Sequence, residues 1–279
     1  MAGKNNKQKV RDAVKRHYAD AIKLHTACCP PPPTELDIEG GYSLAKLSGY
    51  SRDELESVPE TVTSFGCGNP VALADLQPGE VVLDLGAGAG LDLILAARKV
   101  GESGRVIGLD MTPEMIDVCR ANLQKAGIEN AEVRPGQMED MPVADAEVDW
   151  IISNCVINLS PEKHKVFAEA YRVLKPGGKM MISDMVTHDL PDEYRDDMAA
   201  WVGCLAGALE EGEYVRLVEK TGFADVKVVD KLVYTAAMLA GFADEACCCG
   251  SQRKTASEGI VDRYADRVAA VKLFARKPG

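Results

Sequence analysis

Three cysteines sit where regular structure ends and chemistry could begin. Cys155, in "SNCVINLS", follows the apolar stretch "VDWII" at the end of a predicted strand. Cys67, in "SFGCGNP", lies between two glycines in a predicted turn, and Cys204, in "WVGCLAGAL", lies on a predicted helix. A thiolate is a nucleophile and a soft ligand. A free cysteine is equally a small buried hydrophobe, so core filling stays open for each of the three. Zinc does not fit: there is no C-x-x-C and no Cys/His cluster, and the four histidines are scattered. His164 and His188 read as surface or capping residues, and Cys119, in the helical "MIDVCRANL", reads as core. Thiols far apart in sequence can still converge, and three of them would favour a thiophilic centre.

The second chemical feature is "LDLGAGAG", which places Gly86, Gly88 and Gly90 between an apolar run and the helical "LDLILAARKV". Glycines there let the backbone approach a ligand and aim helix N-terminal amides at it. The spacing is G-x-G-x-G, not the dinucleotide fingerprint. Asp84 precedes the loop and would repel a pyrophosphate but suit a cation. Asp110 ends the next predicted strand, with Met111 after it, where an acid can accept hydrogen bonds from ribose hydroxyls. "GQMEDMP" follows the third strand and offers Gln137, Met138 and Glu139, although a surface role is open for Glu139. Asn154 closes the fourth strand beside Cys155.

The elements that must position these residues alternate. "VVLDL", "RVIGLD", "AEVRP", "VDWIISN" and "PGGKMMISD" are predicted strands, separated by helices at 91–100, from Thr112-Pro113 onward, and from a Ser160 cap onward. That order implies βα units and a parallel sheet, and unbroken apolar runs imply helices on both faces. The expected fold class is α/β, a doubly wound, mostly parallel seven-stranded sheet with a smaller C-terminal α+β part. Residues 8–24 carry Val10, Val14, Tyr18 and Ile22 on one helical face. "TACCPPPPTELDIEGGY" reads as a linker or flap with Cys28 and Cys29 at its start. Ser51 and Glu54 predict a capped short helix. Residues 193–223 are predicted helical with a break near Glu211-Gly212, and 225–235 and 268–278 are predicted strands. The expected division is 1–70 as helix, Pro-rich flap and cap, 71–190 as the ligand-binding Rossmann-like core, and 191–279 as the C-terminal part with the last strands.

Composition narrows the partners. The chain has 279 residues, 46% of them hydrophobic, and a formal net charge of −11. An acidic surface repels phosphate backbones, which argues against nucleic acid. The charged N-terminus lacks the apolar region of a signal peptide, and no run nears the roughly 20 apolar residues of a membrane span. The expectation is a cytoplasmic protein, without membrane contact, whose nine cysteines are mostly reduced thiols.

The glycine loop with Asp84 and Asp110, over roughly residues 75–185, resembles class I S-adenosylmethionine-dependent methyltransferases. "GYSRDELESVPE", "GCGNP", "SNCVINLSPEK" and "GCLAGAL", in this order, are similar to the arsenite methyltransferases and span most of residues 40–225. The resemblance implies S-adenosylmethionine as methyl donor and trivalent arsenic bound by Cys67, Cys155 and Cys204. Arsenic held by three sulfurs keeps a lone pair that can attack the methyl group, so no general base is required. The resemblance further implies a disulfide between Cys67 and an N-terminal cysteine, either Cys28 or Cys29, with glutathione or thioredoxin as final reductant. Cys247–Cys249 could scavenge or deliver substrate, or form a dispensable tail. Two rival functions stand beside this one: a carbon or oxygen methyltransferase for a small molecule, and a thiol-based metalloid-binding protein.

Overall fold

The computed structural model describes residues 2–27, 48–64, 66–189, 207–238 and 264–279. Five strands form the parallel part of the sheet: β1 (Val81–Leu85), β2 (Arg105–Asp110), β3 (Ala131–Pro135), β4 (Val148–Asn154) and β5 (Leu174–Thr187). A two-residue strand, β6 (Leu209–Glu210), pairs parallel to the end of β5, and β7 (Ala224–Val233) and β8 (Val268–Arg276) complete the sheet. The order is β3-β2-β1-β4-β5-β8-β7. β8 lies between β5 and β7 and runs antiparallel to both, so the sheet is mostly parallel with an antiparallel strand next to one edge. The last two strands thus extend the same sheet.

Strand order reverses at β1, which pairs with β2 on one side and β4 on the other. In open α/β sheets the crevice beyond such a reversal is where ligands bind. Register brings the strand ends abreast there, with Leu85 opposite Ser153 and Asn154 opposite Ser183.

The apolar runs are explained by burial on both faces. Leu83, Ile107 and Ile151 pack into one core cluster, whereas Val82, Val106 and Ile152 pack into the other. Each cluster is closed by helices. Leu93, Ile94 and Ala97 of α4 (Leu91–Val100) cover one face, and Val166, Phe167 and Ala170 of α6 (Lys163–Val173) cover the other. Burying a side chain of this size stabilises by roughly 1.5–3 kcal/mol, which makes this sandwich the rigid base of the site.

The remaining helices are α1 (Ala2–Ala27), α2 (Arg52–Glu56), α3 (Pro70–Leu73), α5 (Pro113–Lys125) and α7 (Glu211–Lys220). Ser51 and Glu54 form the expected capping box on α2. Two expectations are corrected. The helix predicted to start at Ser160-Pro161 starts at Lys163, because residues 157–159 first make a 3-10 turn. Ser160 Oγ instead accepts the Glu162 N–H and donates to Glu139. Residues 209–210, predicted helical, are strand, and the helix begins at Glu211. The earlier part of that predicted helix, with Cys204, lies outside the described residues, as do the Pro-rich segment with Cys28 and Cys29 and the Cys247–Cys249 cluster. Among the described residues no helix is long and apolar enough to cross a membrane.

Candidate active site

A cleft opens beyond the ends of β1, β2 and β4, and most of the predicted donor residues line it: Asp84, Gly86, Gly88, Asp110, Met111, Gln137, Met138, Glu139 and Asn154. The turn after β1 is tight. Gly86 has φ +69° and a Cβ there would strike Val156, so only glycine fits. Gly90 plays another part. It is not among the lining residues; it precedes α4 at φ +97°, and its missing side chain leaves room for Cys119. Cys119 is fully buried, and burial pushes its thiol up to about 12, so it stays protonated and unreactive.

Carboxylates dominate the cleft. Asp110 accepts the Gly88 N–H on one oxygen (3.0 Å) and the Thr112 N–H on the other (2.8 Å). Burial raises its pKa, and these hydrogen bonds counter the rise. Asp84 is buried, and its Oδ2 has no hydrogen-bond partner among the described residues. Burial first, then the charges of Asp92 and Asp110, push its pKa well above the carboxylate range. Asp92, in the first turn of α4, also lines the cleft and is pushed by burial to about 6, with hydrogen bonds from Asn154 and Tyr50 acting against the shift. Buried acids crowded in this way are stabilised in their charged form by a cationic ligand.

The thiols meet beside this cleft. Cys67 and Cys155, 88 residues apart, form a disulfide with a Cα–Cα separation of 5.8 Å. Cys155 lines the cleft, whereas Cys67 is not among its lining residues. Cys155 has φ +58°, the left-handed region that costs a non-glycine residue roughly 1–2 kcal/mol. Its N–H donates to Ser183 O at 2.8 Å, which holds the turn. The glycines around Cys67 are steric necessities. A Cβ on Gly66 would overlap the Asn154 carboxamide, and one on Gly68 would overlap the Ser183 side chain. The resemblance implied an N-terminal partner for Cys67; in the structure its partner is Cys155.

The turn after Cys155 is anchored from below. Asp184 accepts the Asn158 N–H (3.1 Å) and the Tyr214 hydroxyl (3.0 Å) on Oδ2, and its own chain's Met185 N–H on Oδ1. Lys163 donates to the carbonyls of Asn158 and Ser160.

Sequence reading missed the roof. The apolar face of α1 covers the cleft, with Arg11, Val14 and Tyr18 among the lining residues. Arg11 Nη2 donates to Glu139 at 3.0 Å and to Glu162 at 2.7 Å, and Lys7 adds a second contact to Glu162. Glu139 is therefore tied to α1 and to Ser160 in this structure. The amphipathic period of α1 was visible in the sequence, but its docking place was not. Asp92 was also missed, although its place two residues after Gly90 was a signal.

The comparisons agree with this geometry. A family profile described as a methyltransferase domain matches residues 76–222. The chain is 41% identical to the arsenite methyltransferase of Halobacterium salinarum over 83% of its own length and 61% of that protein. It is 37% identical to the arsenite methyltransferase of Homo sapiens, over 79% of its own length and 60% of that protein. It thus spans about three fifths of the length of these curated relatives. The crystal structure of an arsenic (III) S-adenosylmethionine methyltransferase from Chlamydomonas reinhardtii superposes with a TM-score of 0.62 at 31% identity, covering 90% of this chain and 75% of that one. A thiol pair set against an acidic cleft at a sheet reversal, together with these matches, places the chain in the arsenite methyltransferase family of S-adenosylmethionine-dependent methyltransferases.

Proposed function

We propose that this protein transfers methyl groups from S-adenosylmethionine to trivalent arsenic held by the thiolates of Cys67, Cys155 and Cys204. The observation that carries the reading is the meeting of the Cys67 and Cys155 sulfurs at the edge of an acidic cleft. The cleft suits the donor. Asp84 presents a buried carboxylate oxygen with no partner among the described residues, and Asp92 and Asp110 add negative charge beside it. When bound, the donor supplies a methyl group on a positively charged sulfur.

The chain's own residues do the rest. Gly86 and Gly88 keep the backbone turn open for close approach, and the acids hold cationic groups. Helix α1 shields the cleft from water, which strengthens each of these charge interactions. Cys67 and Cys155 bind arsenic only as thiolates, so their disulfide must first take two electrons from a small thiol such as glutathione, or from thioredoxin. Arsenic bound to sulfur retains a lone pair. With the donor bound, that lone pair would take its methyl group as the donor's sulfur–carbon bond broke, and no residue would need to accept a proton. Positioning is therefore the main catalytic contribution. Methylation raises the formal oxidation state of arsenic by two, and two thiols return those electrons and become a disulfide.

The test is to incubate reduced protein with arsenite, donor and glutathione and to separate the arsenic species by chromatography with mass detection. Methylated arsenic is the expected product. Its absence from folded protein that binds the donor would overturn the reading.

A further inference from the structure

A ring of three hydrogen bonds joins the donor cleft to the thiol turn. Tyr50 Oη donates to Asp92 Oδ1 at 2.8 Å. Asn154 Nδ2 donates to Asp92 Oδ2 at 3.1 Å and to Tyr50 Oη at 3.0 Å. Both Tyr50 and Asp92 are buried. The ring fixes which way the Asn154 amide faces, because reversing it would set its oxygen against the Asp92 carboxylate. Its other end then has one use. Asn154 Oδ1 accepts the N–H of Cys67 (3.0 Å) and the N–H of Gly68 (3.2 Å), while Nδ2 also lies within hydrogen-bond reach of Gly68 O, so its two hydrogens are shared among Asp92 Oδ2, Tyr50 Oη and Gly68 O. The amide thus grips the turn that carries Cys67 on both sides. Gly66 lacks a side chain where that amide lies. Ser48, two residues before Tyr50, is buried, donates to Gly66 O and holds the same turn.

We propose that Tyr50 and Asp92 are positioning residues for the arsenic-binding thiols, acting through Asn154 to set Cys67 against Cys155; this rests on the function proposed above. Asn154 follows Ser153 on β4 and immediately precedes Cys155, so one residue of the strand end locates both sulfurs. Tyr50 is not among the residues lining the cleft and reaches it through Asp92 and Asn154.

The experiment is arsenic-free at its core. The whole 279-residue chain is equilibrated in glutathione buffers, where the Cys67–Cys155 disulfide plus two glutathione thiols exchanges with the dithiol plus glutathione disulfide. Alkylation and mass spectrometry give the constant for wild type, Tyr50→Phe and Asp92→Asn. Loss of a buried hydrogen bond to a charged group should move the constant about tenfold toward the dithiol. For Tyr50→Phe, S-adenosylhomocysteine affinity should stay within about twofold, and the methylation assay should show lower kcat at unchanged donor KM. A purely structural role would lower Tm and leave the thiol constant alone. An unchanged constant in both folded variants overturns the proposal. Failure of wild type to methylate arsenite counts against the acceptor reading instead, so the two failures are told apart.

Discussion

Replacing Cys155 with serine should lower arsenite methylation by roughly 100-fold or more, which is a loss of about 2.7 kcal/mol of transition-state stabilisation at 1.36 kcal/mol per tenfold. Serine keeps the size of the side chain but is a poor ligand for a thiophilic centre. Cys155 lines the cleft and its sulfur meets that of Cys67, so its loss removes one of the sulfurs that would hold arsenic there. Donor affinity should change little, because the acids that suit the donor are on β1, α4 and the end of β2. The check is arsenic speciation beside calorimetry with S-adenosylhomocysteine. Turnover equal to wild type would return Cys155 to a packing role. A parallel loss of turnover and donor binding would point to a damaged cleft.

The second large effect concerns stability and lies under the same turn. Burial raises the Asp184 pKa to about 7 despite the nearby Lys163 charge and the hydrogen bonds from Met185, Tyr214 and Asn158. The folded protein therefore holds this proton more tightly than the unfolded chain does, where the ordinary value is 3.8. The stabilisation linked to that proton is complete below pH about 4, fades as pH rises, and is gone above about 7. Asp184→Asn removes the linkage while imposing a fixed cost from its lost acceptor at Met185 N–H. Between pH 5 and pH 8 the stability of wild type relative to Asp184→Asn should thus fall by about 2–3 kcal/mol. Urea unfolding of both proteins at the two pH values measures it. A relative stability independent of pH would mean that Asp184 stays charged in the folded protein throughout.

Local patterns made the parallel strands and the glycine loop legible. "VVLDL" is apolar at Val82, Leu83 and Leu85 because alternate residues enter two different cores, with Asp84 left to face the cleft, and the loop after it needs glycine at Gly86 for a steric reason. The observed sheet bears out the doubly wound, mostly parallel expectation, with β8 inserted antiparallel between β5 and β7. Ser160 misled because its hydroxyl had a second use, at Glu139 and in the turn before the helix. What the sequence hid is long-range. Arg11 reaches Glu139 across 128 residues and Tyr50 reaches Asn154 across 104, and no period or spacing encodes such pairings. The cysteines show the same divide. Their motifs carried the resemblance, but nothing in their spacing told that Cys67 would be bonded to Cys155.

X-ray absorption at the arsenic edge, on the reduced 279-residue chain carrying one equivalent of arsenite, asks most directly whether these sulfurs form one substrate site. A shell made of sulfur alone is the expected spectrum, with a sulfur lost on Cys155→Ser. A shell of oxygen, or a sulfur shell untouched by substitution at both Cys67 and Cys155, would contradict it.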